Sequence, residues 1–131
     1  MCLEPSIHLT PISSMCVLVV EDEPLVRAVA VEALEAEGFE VIEAPSADDA
    51  VTFLRSRDDI DVVFTDVAMP GALNGFELAH LIRATYPHIN ILVCSGALPS
   101  GFSGEAPEAR FVRKPYRVAE IAPIIRGMMP G

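Results

Sequence analysis

Apolar residues fall into short blocks separated by stretches with helical spacing, and the blocks set the expected fold. Cys16 to Val20, Val62 to Thr65 and Ile89 to Cys94 are near-continuous runs of β-branched and aliphatic residues, the pattern of strands buried on both faces of a parallel sheet. Glu40 to Ala44 and Arg110 to Val112 add two further strands. Between them, Pro24 to Glu37 reads as a helix with Asp22 as its cap, Val26, Val29, Ala30, Ala33 and Leu34 as its inner face, and Gly38 as its stop. Ser46 with Asp49 three residues on starts a second helix through Ala50, Phe53 and Leu54. Asn74 caps a third over Gly75 to Thr85, with Phe76, Leu78, Ala79 and Ile82 turned inward. A last helix spans Val118 to Met128, and Pro123 inside it should kink or shorten it. Alternating strands and helices with short connections predict an α/β fold: one parallel sheet, helices on both faces, right-handed crossovers.

Length and composition narrow the class. A chain of 131 residues fits one domain that needs no disulfide or metal to hold its core. Apolar content of 51% and charged content of 21% exclude a disordered or fibrous chain, and no apolar run approaches a membrane span. The net charge of −10, with no arginine stripe to offset it, argues against direct binding of nucleic acid or an anionic membrane. Cys2, Cys16 and Cys94 have no metal-ligand spacing and read as free thiols in a reducing, cytoplasmic setting. Residues 1–14 lack a signal-peptide core and read as a disordered or extended tail before a domain over 15–131. Met1 and Met15 both stand as possible translation starts.

The candidate chemistry lies where the strands end. The first runs into Glu21-Asp22, the third into Asp66 and the fifth into Lys114. In a parallel sheet those ends share one edge, the edge at which α/β proteins build their sites. Lys114 is the only lysine, every other member of the nine Lys and Arg residues being arginine. A flexible point charge of that kind suits a phosphoryl oxygen. Glu21, Asp22 and Glu23 also fit the start of a helix, where carboxylates offset the macrodipole. Asp66 ends a buried strand with Pro70 and Gly71 still ahead, so capping explains it less well. Three carboxylates in one cleft repel one another unless a cation or protons intervene, and an oxygen-only donor set is what Mg²⁺ selects.

From Met15 to about Met128 the chain resembles the receiver domain of two-component response regulators. The shared blocks are Val17-Leu-Val-Val-Glu-Asp-Glu-Pro24, Phe64-Thr-Asp-Val-Ala-Met-Pro-Gly71, Ser95-Gly96 and Lys114-Pro115-Tyr116. The resemblance implies a flavodoxin-like, doubly wound five-stranded sheet of order 2-1-3-4-5. It also implies a phosphorylation-dependent switch that accepts a phosphoryl group on Asp66 from a histidine kinase or phosphotransfer protein. Mg²⁺ would be held by Asp22, Asp66 and the Ala68 carbonyl, with Glu21 acting through water. Lys114 would neutralise a phosphoryl oxygen. Ser95 and Phe111 would form the switch, although Phe111 also fits as plain core. Leu25, Ala28 and Val31 form a small apolar strip on the first helix, where kinases of the family dock.

Two departures bear on behaviour. Leu98 to Pro107, rich in Gly and Pro, stands where the family forms its fourth helix and output face, so that helix is expected to be degenerate. Ala68 and Ala97 offer no polar side chain to guide water onto the acyl phosphate, which predicts a long-lived phosphoryl group. Other readings fare worse. A haloacid-dehalogenase-type phosphatase needs a second aspartate two residues after the first, and Asp66 is followed by Val67-Ala68. A nucleotide or flavin binder needs a phosphate loop after the first strand, which Glu21-Asp22-Glu23 would repel. A docking-only pseudo-receiver is disfavoured by Asp66 and Lys114. Either a stand-alone switch acting through an unknown downstream protein or a fragment of a hybrid kinase or larger regulator fits the sequence.

Overall fold

The computed structural model describes residues 15–67, 73–96, 105–106 and 109–128. The expectations for the 1–14 tail, for Ala68 and Ala97 and for most of the Leu98 to Pro107 stretch lie outside the described residues. Strands β1 (Cys16–Val20), β2 (Glu40–Ala44), β3 (Val62–Asp66), β4 (Asn90–Ser95) and β6 (Ala109–Arg113) pair in parallel. Spatially they run β2-β1-β3-β4-β6, which is the expected 2-1-3-4-5 when the parallel strands alone are numbered. A two-residue strand, β5 (Glu105–Ala106), adds an antiparallel pair on the outer edge of β6. That hairpin was not foreseen, because two residues carry no periodicity.

Alternation along each buried strand divides the core. Leu18, Val20, Val63, Ile91 and Val93 face helices α2 (Ala47–Ser56) and α3 (Gly75–Thr85). Val17, Val19, Val62, Phe64 and Leu92 face α1 (Pro24–Ala36) and α4 (Val118–Gly127). Each fully buried aliphatic side chain contributes about 2 kcal/mol of transfer free energy, and both layers clamp the central strands so that their ends cannot drift.

Local signals explain most boundaries. The Ser46 hydroxyl accepts the Asp49 N–H at 3.1 Å. Asn74 and Glu77 form a reciprocal capping box at 2.9 and 2.8 Å. Gly38 ends the turn after α1 at φ 101°, a conformation that favours glycine. Helix α4 runs through Pro123 and closes at Gly127, one residue short of expectation.

Helix α1 differs from its expected phase. Its buried residues are Ala30, Val31 and Leu34, whereas Val26 and Val29 are 40% and 60% exposed. The inward stripe is Arg27, Ala30, Val31 and Leu34, at i, i+3, i+4 and i+7. It begins with a polar residue, so hydrophobicity alone pointed to the wrong line. Val31 therefore belongs to the core and not to the docking strip, from which it is removed. Asp22 does not cap α1 either: Glu23 holds the N-cap position without a side-chain cap bond. Phe76, expected inside, is 37% exposed and lies against the Phe111 ring with centroids 5.4 Å apart.

Candidate functional site

The strand register delivers the chemistry to one rim. Val20 is level with Thr65, Asp66 with Cys94 and Ser95 with Arg113, so Glu21, Asp66, Ser95 and Lys114 follow one another across the strand ends. Main-chain bonds lock this stagger: Glu21 N–H to Ala44 O at 3.0 Å, Val67 N–H to Cys94 O at 3.1 Å, and Lys114 N–H to Ser95 O at 2.7 Å.

Carboxylate oxygens of Glu21, Asp22 and Asp66 all lie within 4.8 Å of one another. Glu21 and Asp66 are 5% and 6% exposed, and Asp22 is half-buried. Lys114 Nζ donates to Asp66 Oδ2 at 2.8 Å. Ser95, also buried, ends the neighbouring strand. Phe111 is half-buried against the α2/α3 side of the core.

The electrostatics follow from crowding. Burial pushes the Glu21 carboxyl above its ordinary value; the Glu23 N–H donated to it at 3.1 Å opposes this, and the Asp66 charge adds to it. Burial pulls the Lys114 ammonium down, but the Asp66 hydrogen bond and the surrounding negative charges overcome it, so the net direction is upward. Three carboxylates share one ammonium in a partly buried space, so acidic groups outnumber the cation there. Mutual repulsion at such separations is large where water is scarce. An oxygen-only donor set with this charge surplus fits a hard divalent cation.

Two residues to which the sequence assigned no site role, Arg27 and Gly75, shape the same rim together with Tyr116 of the Lys114-Pro115-Tyr116 block. Arg27 Nη1 donates to the Glu21 carbonyl at 2.8 Å, and its Nε donates to Glu43 Oε1 at 3.1 Å. A Cβ on Gly75 would overlap the Asp66 carbonyl oxygen and lie 2.8 Å from Val67 Cα, so the start of α3 rests directly on the strand end. Tyr116 sets its ring edge-on to Phe64 at 5.6 Å. A glycine directly after the Asn74 cap, and an arginine in phase with Ala30, Val31 and Leu34, were the available signals.

Comparison with known proteins decides the family. The family model of the response regulator receiver domain matches residues 17–126. The chain belongs to the receiver domain family. Receivers are the phosphoacceptor signalling domains of two-component systems, and this receiver is 33% identical over 120 residues to the sensor kinase CckA of Brucella abortus (strain 2308), covering 88% of this chain and 13% of that protein. It is 30% identical over 122 residues to the response regulator protein FleR of Pseudomonas aeruginosa, covering 88% of this chain and 25% of that protein. It thus spans a quarter or less of these two relatives. Among solved structures, the receiver domain of the hybrid histidine kinase CckA superposes with a TM-score of 0.72 at 28% identity, covering 88% of this chain and 99% of that one. TrrA of Thermotoga maritima, solved in complex with Mg(2+)-BeF, gives 0.76 at 28% identity, with the same coverage. Among the described residues no helix of the receiver is long and apolar enough to cross a membrane.

Proposed function

We propose that Asp66 is the phosphoacceptor of a switch that takes its phosphoryl group from a histidine kinase or phosphotransfer protein. The observation that carries this is the ion pair of Lys114 with Asp66 inside the three-carboxylate cluster. An Asp66 carboxylate oxygen attacks phosphorus in line as the bond to the donor's leaving group breaks. Lys114 then turns its ammonium to a phosphoryl oxygen. Asp22 and Asp66, with the Ala68 carbonyl that the family resemblance implies and with Glu21 acting through water, would hold Mg²⁺, which would supply charge neutralisation for the transferring group. The Ser95 hydroxyl donates to the new phosphoryl group, and Phe111 reports the change by repacking. Autodephosphorylation is slow, since Ala68 and Ala97 bring no polar side chain to water.

Partner docking uses α1, with a corrected set of residues. Leu25, Val26 and Val29 are 78%, 40% and 60% exposed, and they line a groove of about 560 Å³ with Lys114, Pro115 and Tyr116. Ala28 lies on the exposed side of the same helix. An apolar patch beside a phosphoacceptor suits the helix that carries a donor histidine. The output is contact with a downstream protein, and the reading places the chain in the cytoplasm, where thiols such as Cys16 and Cys94 stay reduced. Its likeness to part of a sensor kinase and to part of a response regulator keeps both settings open for the receiver.

Acetyl phosphate with Mg²⁺ tests the assignment. Intact mass should rise by one phosphoryl group in the wild type, and by none in Asp66→Asn or in excess chelator. Full labelling of Asp66→Asn would overturn the reading.

A further inference from the structure

Glu21 is tied to its neighbours through its N–H, its carbonyl and its side chain. Its N–H donates to Ala44 O at 3.0 Å, its side chain accepts from the Glu23 N–H at 3.1 Å, and its carbonyl accepts from Arg27 Nη1 at 2.8 Å. Arg27 is anchored in turn by Glu43 Oε1 at 3.1 Å, and its side chain is only 18% exposed. Glu43 and Ala44 are the last two residues of the edge strand β2. The corner that carries Glu21 and Asp22 is thereby hung from that edge, through one main-chain bond and one guanidinium.

We propose that Arg27 is a positioning residue which fixes the Glu21-Asp22 corner for divalent-cation binding by clamping the Glu21 carbonyl to Glu43. This rests on the reading of the acidic cluster as a cation site. An inward-facing arginine is a poor core residue, and here it sits at the end of the α1 stripe nearest the site. Its guanidinium is planar and can serve two acceptors at once, which a lysine ammonium cannot do with the same rigidity. The clamp acts on the main chain, since Arg27 bonds the Glu21 carbonyl and leaves the carboxylate to its Glu23 N–H contact. Arg27 thus tunes the site by geometry, in the way that residues behind a metal's direct ligands orient them.

The test is calorimetric titration of the full chain with MgCl₂, paired with urea unfolding in chelator. Arg27→Ala should weaken Mg²⁺ binding about ten-fold, at the lower end of what losing such an orienting partner does. Arg27→Lys should recover part of that loss, and Glu43→Gln should weaken binding less than Arg27→Ala. In acetyl phosphate labelling, the Mg²⁺ concentration for half-maximal rate should rise more than the plateau rate falls. A purely structural role would lower the unfolding midpoint and leave the affinity unchanged, and that result overturns the clamp while the site stands. Wild-type protein that takes up no Mg²⁺ overturns the cation site and the clamp together. Should Arg27→Ala not fold, wild-type affinity in both Arg27→Lys and Glu43→Gln overturns the clamp.

Discussion

The two ends of the sheet gather similar side chains and treat them differently. At the amino end, ligand atoms of Cys16, Glu40 and Asp59 lie within 4.8 Å of one another, and Arg57 grips Asp59 through bonds of 3.0 and 2.7 Å. Asp61 Oδ2 accepts the Cys16 N–H at 2.9 Å. The acids there are solvent-exposed, and Arg57 and Asp59 side chains are 41% and 50% exposed. At the carboxyl end, Glu21 and Asp66 are buried and share Lys114. Each end pairs one of its acids directly with a cation, Asp59 with Arg57 and Asp66 with Lys114. Water screens one cluster and is largely kept from the other, and this makes the second electrostatically unfinished.

The largest expected effect is at the contact that keeps the carboxyl end closed. Gly75→Ala forces a methyl into the Asp66 carbonyl and against Val67 Cα. Both obstacles are backbone, so strain rather than side-chain adjustment must absorb it, costing about 3 kcal/mol. Urea unfolding measures the loss, and acetyl phosphate labelling should fall with it as Asp66 is displaced. Gly127→Ala, whose added Cβ meets open space, is the control and should lose nothing. Equal stabilities in the two variants would show that α3 does not bear on the strand end.

The next effect separates crowding from fold. Burial raises the Glu21 carboxyl in the folded chain, so the folded state keeps a proton that the unfolded chain releases. The resulting stability is present below the unfolded carboxylate value of about 4.3 and is lost as pH rises through the higher folded value. In chelator at neutral pH, Glu21→Gln should therefore be more stable than wild type, and the gap should close on acidification. Mg²⁺ should reverse the order. At a hundred times its Kd it stabilises wild type by about 2.7 kcal/mol, and Glu21→Gln by less. Thermal unfolding at several pH values reads both signs, and a Glu21→Gln less stable than wild type without Mg²⁺ would refute the crowding.

How far each region could be read in advance follows the same division. The central strands announced themselves because β1, β3 and β4 are buried on both faces and admit almost nothing but aliphatic residues. The shared direction of parallel strands put Glu21 and Asp22 after β1, Asp66 at the end of β3 and Lys114 after β6 at one rim, and the family resemblance added Ser95 at the end of β4. What was misread sits where polar and apolar roles exchange. Arg27 faces inward and Val29 outward on α1, so the hydrophobic line was placed about one residue out of phase. Phe76 left the core for the Phe111 ring, a long-range contact that no local spacing encodes. Gly75 matters through an atom it lacks, and that becomes visible only when α3 is set against Asp66.

The smallest effects belong to the amino end. Asp61→Ala removes the acceptor of the Cys16 N–H, and with it the side-chain tie between the starts of β1 and β3, at a cost of about 1 kcal/mol. Asp59→Asn breaks an exposed pair with Arg57 and should leave the urea midpoint where it is, because solvent already screens both partners. Neither substitution should alter Mg²⁺-dependent labelling, since neither reaches the opposite rim. The Cys16 thiol, pushed up to about 11 by burial first and by Asp59 next, stays protonated at neutral pH and should resist alkylation in the folded chain. If Asp59→Asn instead changed Mg²⁺ affinity as strongly as Glu21→Gln, the two rims would be coupled through the sheet. Solvent exposure would then not be what sets them apart.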